Sequence, residues 1–124
     1  MGVGLSILVV EDNEDNQQIA SIILEREGYH VDLAATSGEM HQRISAYRPD
    51  LILMDVHLGF EDGLAIARGL KADPATAAIP IVALTAIGAS DHVAAAGCCG
   101  FISKPIDTRA FPAQVRGFLV PTAS

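Results

Sequence analysis

Basic residues are scarce in this chain: 8 Lys and Arg stand against 15 Asp and Glu, for a formal net charge of −7. A surface of that sign repels phosphate backbones and no basic run offsets it, so direct binding of nucleic acid is not expected. Cysteine is nearly absent. Cys98 and Cys99 are sequence neighbours, poorly placed to bridge each other, and no third cysteine is available. A disulfide framework is thereby excluded, and thiols in a reducing compartment are expected, one or both packed as small apolar residues. Long apolar runs are missing too. None approaches the ~20 residues needed to span a bilayer, and Met1-Gly2-Val3-Gly4 has neither the basic nor the apolar region of a signal peptide. Repeats, low-complexity segments and interdomain linkers are also lacking. These absences predict a soluble cytoplasmic domain with no membrane contact.

What is present is apolar material in short blocks. Half of the 124 residues are hydrophobic, enough for one compact core and too few residues for two, so a single domain over 1–124 is expected. Ser6-Ile7-Leu8-Val9-Val10, Leu51-Ile52-Leu53-Met54-Asp55 and Ile81-Val82-Ala83-Leu84-Thr85 are apolar runs that read as strands buried on both faces. His30-Val31-Asp32-Leu33-Ala34 alternates and reads as an edge strand exposed on one face; Gly100-Phe101-Ile102-Ser103 is a short fifth strand.

Helical segments separate them. Ile19, Ile22, Ile23 and Arg26 recur at helical spacing after the polar run 11–16, with Gly28 as the stop. A second helix runs from Ser37 to Tyr47, closed by Pro49. A turn containing Gly59 and Gly63 leads to a third over Leu64–Leu70, which Asp73-Pro74 ends. Ser90-Asp91 can cap a fourth that Gly97 stops. The last helix ends near Leu119, before Pro121. Pro112 would disturb a regular helix begun at Asp107, so an irregular or 3₁₀ approach and a late start near Phe111-Pro112 are predicted. Five strands alternating with five helices predict an α/β domain: a parallel five-stranded sheet of flavodoxin-like (βα)5 type, strand order 2-1-3-4-5.

Ligands of such sheets bind outside the carboxyl ends of the strands, near the switch point between strands 1 and 3. That edge collects Glu11 and Asp12 from strand 1, Asp55 from strand 3, Thr85 from strand 4 and Lys104 from strand 5. Each has a plain structural use, as helix cap, turn former, strand former or loop charge. Their joint placement points further. Three close carboxylates repel unless a cation or proton relieves them, and an all-oxygen set suits a hard ion such as Mg²⁺. An ammonium and a hydroxyl opposite favour a tetrahedral oxyanion. The combination is one for phosphoryl transfer to a carboxylate nucleophile.

The chain resembles the receiver domain of bacterial two-component response regulators. The resemblance spans Ile7 to about Leu119 and rests on Leu8-Val9-Val10-Glu11-Asp12-Asn13, Asp50-Leu51-Ile52-Leu53-Met54-Asp55, Asp62-Gly63, Thr85-Ala86 and Phe101-Ile102-Ser103-Lys104-Pro105. The Glu11-Asp12-Asn13 variant and the segment 103–107 look most like single-domain cell-cycle regulators and hybrid-kinase receivers. The resemblance implies a phosphoacceptor switch, not an enzyme acting on other substrates, in which Asp55 takes a phosphoryl group from the phosphohistidine of a histidine kinase or histidine phosphotransfer protein. It implies Mg²⁺ bound by Asp12 and Asp55 directly, by Glu11 mostly through water, and by the backbone carbonyl of His57. Thr85 and Lys104 would hold phosphoryl oxygens, Lys104-Pro105 would be cis, and Phe101 would be an aromatic switch. A downstream protein would read the face of the fourth helix, fifth strand and fifth helix, including Val93, Phe101 and the region of Arg109. The domain would be a monomer or weak dimer.

The chain departs from that family at Gly59, where most members carry proline, so a less restrained loop after Asp55 is expected. His57 and Ile87 bring an imidazole and an apolar side chain close to the phosphorylation site. A stand-alone receiver acting by protein contact is the first expectation, and a receiver fragment of a hybrid kinase or larger regulator is the alternative, residues 121–124 reading as a natural end or as the first residues of a linker. A haloacid-dehalogenase-like phosphatase also uses an Asp nucleophile with Mg²⁺, Thr and Lys. That class needs a second acidic residue where His57 stands and a cap domain for which there is no room. A flavodoxin would need a Ser/Thr/Gly-rich phosphate loop after strand 1, and none is present.

Overall fold

The structure, a computed structural model, describes residues 4–85 and 90–119. Ala86, Ile87 and Pro121, and the capping expected of the Ser90 and Asp91 side chains, lie outside the described residues. In chain order the elements are β1 (Ser6–Val10), α1 (Glu14–Arg26), β2 (His30–Ala34), α2 (Ser37–Ala46), β3 (Leu51–Asp55) and a short hairpin of β4 (His57–Leu58) and β5 (Glu61–Asp62). There follow α3 (Gly63–Ala72), β6 (Ile81–Thr85), α4 (Ser90–Ala95), β7 (Gly100–Ser103) and α5 (Phe111–Leu119). The main sheet is wholly parallel in the order β2-β1-β3-β6-β7, the expected 2-1-3-4-5 once the hairpin is set aside.

Successive side chains of a strand point to opposite faces, so a strand apolar at every position feeds two cores. Leu8, Val10, Ile52, Met54, Ile81 and Ala83 pack with Met40, Leu64, Ala67, Leu70 and Val93 of α2, α3 and α4. Their alternates Ile7, Val9, Leu51, Leu53, Val82 and Leu84 pack with Ala20, Leu24, Phe111 and Val115 of α1 and α5. The sheet is therefore covered on both sides, and its carboxyl edge is left for polar residues.

Local chemistry sets the helix ends. Asn13 caps α1 by accepting from Asn16 N, Thr36 caps α2 by accepting from Glu39 N, and Asp62 caps α3 by accepting from Leu64 N and Ala65 N. Gly28 and Gly97 take positive φ after α1 and α4, as stops require. Ahead of α5, Asp107 Oδ1 accepts from Arg109 N and Ala110 N, while Asp107 O accepts from Ala110 N and Phe111 N. The regular helix then begins at Phe111, which places Pro112 in the first turn, where a missing N–H costs nothing.

Two local expectations are corrected, for Gly63 and for Val93, and the packing also decides which residues of the expected first helix face the core. Gly63 is the first residue of α3 and not part of the preceding turn, and the segment before it is a hairpin that pairs His57 with Asp62 and Leu58 with Glu61. In α1 the buried positions are Ala20 and Leu24, while Ile19 and Ile22 are 38% and 52% exposed. The stripe that meets the sheet runs through 20 and 24, one turn apart, and Ile19 and Ile22 fall to its side. Val93, expected on the outer face of the fourth helix, is buried against the sheet.

Candidate phosphoacceptor and cation site

Register carries the polar residues to one place. Val10 pairs with Met54, so Glu11 and Asp55 leave neighbouring strands at the same level, and Asp55 itself pairs with Leu84, one residue before Thr85. Thr85 pairs with Ser103, and Lys104 N donates to Thr85 O at 2.8 Å. Lys104 is followed by a cis bond to Pro105, as the resemblance implied. The structure thus brings Glu11, Asp12, Asp55, Thr85 and Lys104 to one edge.

Glu11, Asp55 and Thr85 are almost wholly buried, whereas Asp12 is exposed. One oxygen from each of Glu11, Asp12 and Asp55 lies within 4.8 Å of the others. Lys104 Nζ sits 3.1 Å from Glu11 Oε1 and 3.2 Å from Asp55 Oδ2, bridging the two buried carboxylates. Their other oxygens accept from backbone: Asn13 N donates to Glu11 Oε2, and His57 N to Asp55 Oδ1, both at 3.1 Å. Burial is the first reason the Glu11 carboxyl is held above its ordinary range, and the adjoining Asp55 adds to it; the Asn13 N–H and Lys104 work the other way. Burial opposes the Lys104 charge, but Asp55 and Glu11 outweigh it and raise the ammonium's pKa.

The donor set is all oxygen, carries more negative charge than Lys104 can balance, and opens to solvent through Asp12. That is the chemistry of a divalent-cation site. Its rim is the β4–β5 turn: a Cβ on Gly59, at φ +60, would stand 3.6 Å from Asp12 Oδ2. The His57 side chain is exposed.

Some supporting residues had escaped the sequence reading. Gln17 Nε2 donates to the Glu11 carbonyl, holding the β1–α1 turn from the first turn of α1. The Glu61 carboxylate accepts from both the N–H and the hydroxyl of Ser37 at the start of α2. Gln17 directly follows the polar run 11–16 and falls in the first turn of the helix expected there, which is a signal in the sequence itself. The Ser37–Glu61 contact joins segments 24 residues apart and leaves no local trace.

The family model described as response regulator receiver domain matches residues 7–116. The chain is 34% identical over 117 residues to the polar-differentiation response regulator DivK of Brucella anthropi, covering 92% of this chain and 95% of the relative. It superposes on the signal receiver domain of a signal transduction histidine kinase from Syntrophus aciditrophicus with a TM-score of 0.82 at 32% identity, over 94% of this chain and 90% of that one. The chemotaxis response regulator CheY4 of Vibrio cholerae shares the fold at 24% identity, with a TM-score of 0.86 over 93% and 98% of the two chains.

The chain belongs to the response regulator receiver family. It is a regulatory receiver domain of the two-component type and not an independent enzyme, and its Glu11/Asp12/Asp55 cluster is of the acidic kind that serves response regulators as phosphoacceptor and cation site. Among the described residues, no helix is long and apolar enough to cross a membrane.

Proposed function

We propose that Asp55 is the phosphoacceptor and that its partner is a histidine kinase or a histidine phosphotransfer protein of a phosphorelay. The observation that carries this reading is the bridging of buried Asp55 and Glu11 by Lys104 beside the open carboxylate of Asp12. Asp12 and Asp55 would hold Mg²⁺, with Glu11 acting through water and the His57 carbonyl as a further ligand. Bound there, the ion supplies neutralising charge for the phosphoryl oxygens. An Asp55 carboxylate oxygen attacks phosphorus as the phosphorus–nitrogen bond of phosphohistidine breaks, and the electron pair leaves with the imidazole. Lys104 exchanges its carboxylate partners for phosphoryl oxygens, and the Thr85 hydroxyl donates to another.

The phosphoryl group adds roughly −1.5 to −2 charge. Drawing Thr85 toward it vacates space beside β6, and Phe101 on neighbouring β7 is the ring able to fill it. Phe101 is 43% exposed, so turning inward can recover less than half of a full phenyl burial, about 1 kcal/mol. The face of α4, β7 and α5, with Phe101 and Arg109 outward, would then present a changed surface to a downstream protein.

Labelling with a small phosphodonor in Mg²⁺ tests the assignment. Asp55→Asn should abolish the acid-labile adduct with the circular dichroism spectrum unchanged. Equal labelling of that variant removes Asp55 from the role.

A further inference from the structure

A hairpin of two residue pairs does not hold itself in water. The one formed by β4 and β5 begins two residues after Asp55, and its Gly59 turn overhangs Asp12. Glycine leaves that turn free of any φ restraint of its own. The tip must therefore be held from outside. On the inner side Leu58 is buried in the core. Directly across the pair from it, Glu61 reaches away to α2, accepting 2.9 Å from Ser37 N and again from the Ser37 hydroxyl. Those donors hold the Glu61 carboxyl below its ordinary range, the hydroxyl most, so the carboxylate is ionised at neutral pH. It lies at the first residue of α2, where the helix dipole favours an anion.

We infer that Glu61 is a positioning residue for the cation site: clamped on Ser37, it keeps the 57–62 hairpin closed over Asp12 and the residue after Val56 in place. The clamp rests on the reading of Asp12, Asp55 and the His57 carbonyl as Mg²⁺ ligands. It assigns Glu61 no contact with the ion or the phosphoryl group.

Charge and clamp separate cleanly at Ser37. Ser37 is the first residue of α2 after an extended Thr36, a position that accepts proline. Ser37→Pro removes both donors while leaving the helix and the Glu61 charge. Mg²⁺ binding by calorimetry, and acetyl phosphate labelling at low and saturating Mg²⁺, are measured on the parent, Glu61→Ala, Glu61→Gln, Ser37→Pro and the Glu61→Ala/Ser37→Pro double variant. Glu61→Ala and Ser37→Pro should each raise the Mg²⁺ Kd by about tenfold, the low end for residues that orient metal ligands. The double variant should be no worse than either, Glu61→Gln should fall between parent and Glu61→Ala, and saturating Mg²⁺ should restore the labelling rate. Parent-like binding by Ser37→Pro, or effects that multiply in the double variant, overturns the clamp. A parent that binds no Mg²⁺ and takes no label overturns the site reading and the clamp with it; a normal parent beside unaltered variants overturns the clamp alone.

Discussion

Two glycines of α3 should respond to the same substitution with opposite sign. Replacing a helix glycine by alanine gains up to ~1 kcal/mol from propensity and unfolded-chain entropy. At Gly69 a Cβ would meet nothing within 4 Å, so Gly69→Ala should show that gain. At Gly63 a Cβ would stand 1.9 Å from the Asp55 carbonyl oxygen, 2.9 Å from its carbon and 3.0 Å from Val56 Cα. These are backbone atoms that no rotamer change can move aside. Overpacking of this kind costs about 1–3 kcal/mol, and loss of the bond from Gly63 N to Val56 O, now 2.9 Å, adds about 1 kcal/mol. The net effect of Gly63→Ala is a loss of about 1–4 kcal/mol, or a Tm lowered by roughly 5–15 °C for a domain of this size. Gly69→Ala should raise Tm by a few degrees. Thermal melts followed by circular dichroism at fixed pH without divalent cation compare the two. A Gly63→Ala protein that melts at or above the parent refutes the argument that α3 starts against the Asp55 backbone.

Asp12→Ala should weaken Mg²⁺ binding far more than Glu11→Ala, because exposed Asp12 is read as a direct ligand while buried Glu11 acts through water; a calorimetric titration with the reverse order would swap their roles. Glu11 has a folded pKa raised above its ordinary 4.5, so its contribution to stability is present at low pH and lost as pH rises through the raised value. Cation-free Tm should therefore show a falling component as pH climbs above 4.5, and saturating Mg²⁺ should flatten it; identical pH profiles with and without Mg²⁺ would count against the cluster's repulsion. Phe101→Ala should still take phosphate on Asp55 but lose the phosphorylation-dependent gain in affinity for its downstream partner. A variant that responds as the parent does would send the signal out by another surface.

The sequence by itself determined the sheet and the roster of its polar edge. Apolar runs ending in Glu11-Asp12, Asp55, Thr85 and Lys104 are local signals, and doubly buried strands allow few arrangements other than a parallel sheet with covered faces. The polar run that caps α1 and the late start of α5 near Pro112 are local signals of the same kind. Tertiary structure decided what depends on which segments meet. Ile19 and Ile22 match helical spacing as well as Ala20 and Leu24 do, and only the angle at which α1 meets the sheet selects between them. Lys104 lies 93 residues from Glu11, so its bridging of Glu11 and Asp55 exists only once register has aligned β1, β3 and β7. Gly63 reads as an ordinary helix start until the Asp55 carbonyl is found where its side chain would go. The Ser37–Glu61 clamp has no pattern of its own, because a hydrogen bond between distant segments follows from the packing of α2 beside the hairpin and from nothing nearby in the chain.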